Sequence, residues 1–186
     1  MEEKIVYFKT PGKENTQQVL SLVKERAVAR GIKKIVLAST RGDTARAAAE
    51  AFEGTGLKLV VVPWAYGVGK GNPFPLELKS QLEENGHRVH FGTMLFHTDE
   101  LYGSKTPTIM ANLLRIFCQG MKVVVEITMM ACDGGHIAGK EKIIAVAGTG
   151  AGADMAVVMT AAPSLRWPKL RIHEIICKPL MEVSDE

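Results

Sequence analysis

The sequence has little of what marks several functional classes. Its three cysteines, Cys118, Cys132 and Cys177, are odd in number and far apart, which argues against a disulfide framework and favours reduced thiols in a cytoplasmic protein. No apolar run is long enough to span a membrane, and the charged N-terminus does not resemble a signal peptide. A net charge of +3 without a basic run argues against a nucleic-acid partner. We therefore expect a cytoplasmic protein with no membrane or nucleic-acid partner, no disulfide and no metal.

Familiar catalytic motifs are also missing. There is no Gly-x-Ser-x-Gly, no P-loop and no His-Glu-x-x-His. Cys132 with Asp133 and His136 matches no standard zinc spacing, and His97 with Asp99 lies in a loop, where histidines are more often simply solvated. Because no nucleophile, base and orienting group can be assembled, the sequence leaves open whether the protein is an enzyme.

What is present is an alternation of apolar strands with helical segments, which predicts a single α/β domain over residues 1–186 with a largely parallel sheet. Strands are expected at residues 5–8, 33–39, 57–62, 87–92, 142–148, 154–162 and 170–178. The last two have no helix between them and are expected to pair antiparallel at one edge. Helices are expected at residues 43–52, 76–84 and 107–117, and after Asn15 or Thr16 up to Gly31. A loop rich in Gly and Pro occupies residues 63–75.

One segment, residues 121–135, has conflicting signals. Its β-branched residues favour a strand, whereas Val124, Ile127 and Met130 fit one face of a helix that Gly134 and Gly135 would end. A parallel strand at residue 142 needs a crossover connection after the strand that ends near residue 92. We therefore predict a helix over residues 121–133.

The segment Ser-Thr-Arg-Gly-Asp-Thr, residues 39–44, stands between a strand and an alanine-rich helix. Such a turn places free backbone N–H groups at a helix N-terminus, where anions bind. Arg41 adds a guanidinium that can hold a phosphate through two hydrogen bonds, and Gly42 allows a close backbone approach. The alternative is a plain capping box from Thr40 to Asp43, with Asp43 repelling a phosphate if it pointed inward.

Two further segments follow strands. Gly148, Gly150 and Gly152 alternate after the strand at residues 142–148, so this loop either makes a tight turn or exposes its backbone to a ligand. Thr-Pro-Gly-Lys-Glu-Asn-Thr, residues 10–16, offers Lys13, Asn15 and Thr16, although an ordinary helix entry explains it equally well. All three segments lie at the carboxyl ends of strands, the edge where open α/β sheets bind ligands.

Four segments together, residues 7–16, 35–50, 119–135 and 147–158, resemble stand-alone archaeal and bacterial proteins related to the pyruvate kinase C-terminal domain. The resemblance implies a three-layer α/β/α fold with a five-stranded sheet of order 3-2-1-4-5, strand 5 being antiparallel. It implies that residues 39–44 form a phosphate cradle with the glycine-rich loop nearby. Small stand-alone members resemble binders of flavin mononucleotide (FMN). The chain is too short for the (β/α)₈ barrel of pyruvate kinase catalysis.

We therefore expect a phosphorylated small molecule, most favourably the cofactor FMN, in a crevice at the carboxyl edge of the sheet. Two alternatives stay open: an enzyme that uses this ligand with Glu14, Glu126 or His97 as its acid–base group, and a regulatory subunit of a separate partner chain. A homo-oligomer is also left open. The predicted binding residues are Asn15, Thr16, Ser39, Thr40, Arg41, Gly42, Thr44, Gly120, Lys122, Gly148, Thr149, Gly150, Gly152 and Ala153.

Overall fold

A computed structural model describes residues 2–66, 68 and 74–180. Part of the predicted Gly/Pro-rich loop, at residues 67 and 69–73, therefore lies outside the described residues. The strands are β1 Val6–Phe8, β2 Lys34–Ala38, β3 Lys58–Val62, β4 Arg88–Val89, β5 Lys142–Ala147, β6 Met155–Thr160 and β7 Arg171–Pro179. The α-helices are α1 Thr16–Arg30, α2 Asp43–Ala51, α3 Leu76–Glu84, α4 Asp99–Tyr102, α5 Thr106–Arg115 and α6 Gln119–Asp133. Short 3₁₀ turns lie at Lys13–Asn15, Leu95–His97 and Ser164–Lys169.

The α/β class is confirmed, but the sheet is mixed and has seven strands in the order β1-β7-β6-β5-β2-β3-β4. The predicted description of five mostly parallel strands is therefore incomplete. The run β4-β3-β2-β5-β6 has the order expected for those five, and β6 is antiparallel to β5. β7 then pairs antiparallel with β6, and β1 pairs parallel with β7 on its far side. The predicted edge position of β7 is thus wrong, because β1 covers it.

Helices cover both faces of the sheet. Alternate residues of the central strands point to opposite sides: Ile35 and Leu37 of β2 pack against α1 and α2, whereas Val36 packs against α6. α3 joins the α1 and α2 side, and α5 packs outside α6. This burial on both faces explains why β2, β3 and β5 are continuous apolar runs instead of alternating ones.

Helix α6 confirms the prediction made for the ambiguous segment. Val124, Ile127 and Met130 are buried against the sheet, so the apolar face, and not the β-propensity of the valines, decides the structure. The helix ends at Asp133, and Gly135 takes the left-handed conformation with φ 74°. α6 therefore supplies the crossover that leads into β5.

Candidate functional site

The turn after β2 and the loop between β5 and β6 face each other across a crevice of about 470 Å³. We call residues 39–44 the β2–α2 turn and residues 148–154 the glycine loop. One side of α6 and the segment after β3 complete the walls. The carboxyl ends of β2 and β5, which are neighbours in the sheet, therefore open into one cavity of the size that binds small molecules.

The backbone of the β2–α2 turn carries N–H groups without hydrogen-bond partners among the described residues, and Thr40, Arg41, Asp43 and Thr44 of this turn line the crevice. The Ser39 hydroxyl accepts the N–H of Ala45 at 3.1 Å and so fixes the start of α2. The N–H groups of residues 40–44 make no hydrogen bond to another described residue. Gly42 is the N-cap with φ 91°, a conformation that favours glycine. Free N–H groups at a helix N-terminus are a favourable place for an anion, and four of these five belong to residues that line the crevice.

Two charged residues of the turn line the crevice. Arg41 is exposed and forms no ion pair or hydrogen bond with any described residue. Asp43 is also exposed and lines the crevice, although the sequence left open that it caps α2. The Ser39 hydroxyl, which accepts the N–H of Ala45, fixes the helix start instead. The N-cap residue is Gly42, which has no side chain that could cap the helix. An anion bound here therefore meets both the attraction of Arg41 and the repulsion of Asp43.

The three alternating glycines of the glycine loop have different roles. A Cβ at Gly148 would lie 2.5 Å from the carbonyl oxygen of Gly152, and one at Gly152 would lie 2.4 Å from the Cα of Lys13. Gly148 is therefore needed for the turn itself, and Gly152 is needed for the close contact between the glycine loop and the loop after β1. Gly150 has φ 71° and open space where a Cβ would be. Of the three, only Gly150 leaves room for a ligand.

A buried carboxylate connects the glycine loop to the loop after β1. Asp154 Oδ2 accepts the N–H of Gly12 at 2.9 Å and the N–H of Thr149 at 3.0 Å. The Thr16 hydroxyl donates to the Lys13 carbonyl at 2.7 Å and accepts the N–H of Ala153 at 3.0 Å. These bonds set the shape of the glycine loop from behind, so the loop after β1 supports the crevice without lining it.

Helix α6 presents one face to the crevice, made of residues spaced three or four apart: Gln119, Lys122, Val123, Glu126, Ile127 and Met130. Lys122 and Glu126 are 2% and 3% exposed and form an ion pair of 2.5 Å. Lys122 Nζ also lies 3.0 Å from His97 Nε2, and Glu126 Oε1 accepts the N–H of Phe96 at 2.8 Å. The side chains of Lys122, Glu126 and His97 thus form one polar cluster.

The crowding within this cluster changes two pKa values. Burial lowers the pKa of Lys122, although the neighbouring Glu126 carboxylate opposes the change. Loss of water around the His97 ring, followed by the charge of Lys122, lowers the pKa of His97. His97 is therefore neutral near pH 7, and the formal charges of Lys122 and Glu126 cancel.

The remaining wall is mostly apolar, with Val62, Pro63, Trp64 and Met94 beside the α6 face. Trp64 is 49% exposed and offers an aromatic surface at the carboxyl end of β3. The crevice therefore combines a turn with free backbone N–H groups, a polar cluster and an apolar wall. Such a combination suits an amphipathic ligand that carries an anionic group.

The structure brings eight of the predicted binding residues to the crevice: Ser39, Thr40, Arg41, Thr44, Lys122, Gly148, Gly150 and Gly152. The others do not line it: Asn15, Thr16, Gly42, Gly120, Thr149 and Ala153. A Cβ at Gly42 would meet Leu78 at 2.6 Å and one at Gly120 would meet Met155 at 2.4 Å. These two glycines allow close helix packing, a role that the sequence does not reveal because it does not show which way a glycine faces.

Sequence reasoning did not include Trp64 or Asp154 among the site residues, and it named Glu126 and His97 only as alternatives. Glu126 stands four residues after Lys122, a spacing that places both on one helical face once the helix is accepted. Trp64 lies just after the carboxyl end of β3, as Arg41 lies just after the carboxyl end of β2. The position of Trp64 in the sequence could therefore have indicated that it belongs to the site. Asp154 carried no signal, because its partners Gly12 and Thr149 bond through backbone groups.

The weaker candidates lie elsewhere. Asp133 lines a second cavity of about 670 Å³ with His90 and Trp167, on the far part of α6. The His90 and His136 rings are 5.0 Å apart, and burial raises the pKa of the Cys132 thiol to about 11. No group of three metal-ligating side chains occurs in the described part of the chain. All three cysteines are free thiols, and none of the described helices is long and apolar enough to cross a bilayer.

The fold and crevice together define a small α/β domain with a cavity at the carboxyl edge of its sheet. No protein-family model matches the chain. Its structural neighbours include a pyruvate kinase from Cryptosporidium parvum, 14% identical with a TM-score of 0.44, matching 79% of this chain and 23% of the kinase. The same kinase in complex with ADP matches with the same identity and TM-score, over 79% of this chain and 24% of the kinase.

Pyruvate kinases are thus structural neighbours of this chain, as the sequence motifs predicted. The chain spans about a quarter of the length of the kinases it matches. This likeness concerns the course of the chain and says nothing about ligand or activity.

Proposed function

We propose that the protein binds a phosphorylated small molecule in the crevice, with its phosphate on the β2–α2 turn. The observation that carries this proposal is that Arg41 and the backbone N–H groups of residues 40, 41, 43 and 44 share one wall and have no partner among the described residues. Backbone N–H groups at a helix N-terminus and an arginine are the two commonest partners of a phosphate. The open space at Gly150 lets the rest of the ligand continue over the glycine loop.

Among phosphorylated ligands we favour FMN, a choice that rests on the family resemblance of the sequence motifs. The properties of the crevice are compatible with it. A volume of about 470 Å³ accepts a ligand of that size, Trp64 and Met94 supply apolar surface for a ring system, and His97 supplies a polar contact at the wall. One specific observation favours the enzyme alternative, namely the buried ion pair of Lys122 and Glu126 beside His97.

The test is a titration of the purified full chain, freed of bound ligand, with FMN. Binding is followed by quenching of flavin fluorescence and by the rise in the thermal unfolding temperature that a ligand of the folded state must cause. Riboflavin, which lacks the phosphate, is the matched control ligand and is expected to bind more weakly. If FMN and riboflavin bind equally, the phosphate site is wrong; if neither binds, the flavin assignment is wrong.

A further inference from the structure

The polar cluster on the crevice wall joins the buried ion pair of Lys122 and Glu126 to the exposed residue His97. Lys122 Nζ donates to Glu126 Oε2 at 2.5 Å, lies 3.0 Å from His97 Nε2 and stands 5.5 Å from the centre of the Phe96 ring. Glu126 Oε1 is occupied by the Phe96 N–H. The ammonium group thus has three partners, and the carboxylate is satisfied at both oxygens.

This arrangement determines which nitrogen of His97 carries the proton. An ammonium group has only donors, so His97 Nε2 must accept from Lys122, and the single ring proton is then on Nδ1. Protonation of Nε2 would direct an N–H group at the ammonium. The other charged groups that act on His97 are Glu126, Arg115 and Asp99; Arg115 opposes protonation, whereas the two carboxylates favour it.

The second ring nitrogen of His97 is available to a ligand. His97 lines the crevice and its side chain is exposed. Its Nδ1 makes no hydrogen bond within the part of the chain that the structure describes. The surrounding wall, with Val62, Pro63 and Met94, is apolar. A single N–H donor in such surroundings selects a ligand that places an acceptor atom opposite it.

We propose that Lys122 holds His97 as the neutral Nδ1–H tautomer and that this N–H donates to an uncharged acceptor oxygen of the ligand. The proposal rests on the proposed function, and where the ligand is FMN the acceptor is a ring carbonyl. Lys122 and Glu126 cancel in charge and His97 is neutral, so this end of the crevice has no net charge with which to hold a second phosphate. His97 is a specificity-determining hydrogen-bond donor, and Lys122 is its positioning residue.

The tautomer is tested on the free protein by NMR of the full chain labelled with ¹⁵N-histidine, at neutral pH. His87 is an internal reference of opposite kind, because its Nδ1 accepts the Leu59 N–H at 3.2 Å and its proton is therefore on Nε2. We expect His97 to show a protonated Nδ1 and His87 a protonated Nε2. In the charge-free variant Lys122→Met/Glu126→Gln, His97 is expected to shift toward the Nε2–H form. A protonated Nε2 on His97 in the unsubstituted protein overturns the proposal.

The contact with the ligand is tested by FMN binding to two variants. His97→Asn keeps a side-chain N–H near the position of Nδ1, whereas His97→Leu removes every donor. We expect His97→Leu to weaken FMN binding about 3- to 10-fold, the size of one neutral hydrogen bond, and His97→Asn to lose less. Replacing the contacted ring carbonyl of the flavin by a thiocarbonyl should weaken binding to the unsubstituted protein but not to His97→Leu.

These two measurements separate the inference from the proposed function. If His97→Leu binds FMN as tightly as the unsubstituted chain, the hydrogen bond to the ligand is refuted while the phosphate site stands. If the unsubstituted chain binds no FMN, the proposed flavin and its carbonyl contact are both refuted. The NMR experiment decides the tautomer in either case, because it needs no ligand.

Discussion

Two residues of the β2–α2 turn carry opposite charges at the place where we propose that the phosphate binds. Arg41 and Asp43 both line the crevice, one attracting and the other repelling a phosphate. Arg41→Ala is expected to weaken FMN binding by roughly 1.5–3 kcal/mol, the usual contribution of a hydrogen bond to a charged group. Asp43→Asn is expected to tighten binding, because it removes a like charge. Isothermal titration of FMN into each variant measures both changes.

Arg46 provides the control for this pair. It is exposed on α2 and does not line the crevice, so Arg46→Ala changes the net charge by the same amount without removing a phosphate contact. If Arg41→Ala and Arg46→Ala weaken FMN binding equally, the effect is one of general charge, and the phosphate does not lie on this turn.

At Gly150 an added Cβ would contact no other described part of the protein, and a larger side chain would compete with the ligand for space. Gly150→Val is expected to prevent FMN binding, because its side chain would occupy the open space of the crevice. The substitution also strains the backbone, since φ is 71°. Gly54→Val is a matched control, because Gly54 has φ 69° and equally open surroundings away from the crevice. Both variants should lose similar unfolding free energy, whereas only Gly150→Val should lose binding in the same titration.

At the scale of one element, α6 carries both the clearest success and a limit of the sequence. Its apolar spacing and the required crossover predicted the helix, and the helix then placed Lys122 and Glu126 on one face. The third member of the cluster, His97, lies in a turn 25 residues earlier in the chain. No periodicity connects a loop histidine to a helical lysine, so this contact could be found only from the folded structure.

The buried ion pair within α6 predicts an unequal response to substitution. Lys122→Met leaves the Glu126 carboxylate buried without its cation, which is expected to cost about 3–5 kcal/mol of unfolding free energy. Lys122→Met/Glu126→Gln removes the charge and keeps an acceptor for the Phe96 N–H, so it should recover at least half of that loss. Denaturant unfolding of the ligand-free proteins measures both values. A double variant less stable than Lys122→Met would contradict this account.

At the scale of the molecule, the arrangement of the strands that form the crevice was predicted correctly. The number of strands in the sheet was underestimated, because five were expected and seven are present among the described residues. β2 and β5 are continuous apolar runs, and their adjacency was implied by the sheet order that the family resemblance carries. β1 has only three residues, and its partner β7 is more than 160 residues later in the chain. A short strand paired at such a separation leaves no local pattern, which is why β1 was not placed and β7, correctly paired with β6, was expected at the edge.

This outer part of the sheet is connected to the crevice through Asp154. Its Oδ2 joins Gly12, which follows the edge strand β1, to Thr149, which follows the central strand β5. Its Oδ1 is buried without a partner among the described residues. Burial raises the pKa of Asp154, although the hydrogen bonds from Thr149 and Gly12 oppose the change. The folded protein therefore favours the protonated carboxyl group more than the unfolded chain does.

The consequence for stability has a definite sign. Because the pKa of Asp154 is higher in the folded state, this group contributes most below the usual carboxyl pKa, and the contribution is lost as the pH rises through the raised value. Asp154→Asn cannot titrate and keeps an acceptor for both amides. The unfolding free energy of the unsubstituted protein minus that of Asp154→Asn should therefore fall as the pH rises from about 4, the usual carboxyl pKa, toward neutral pH. Denaturant unfolding at several pH values measures this difference. A constant or rising difference would show that folding does not raise the pKa of Asp154.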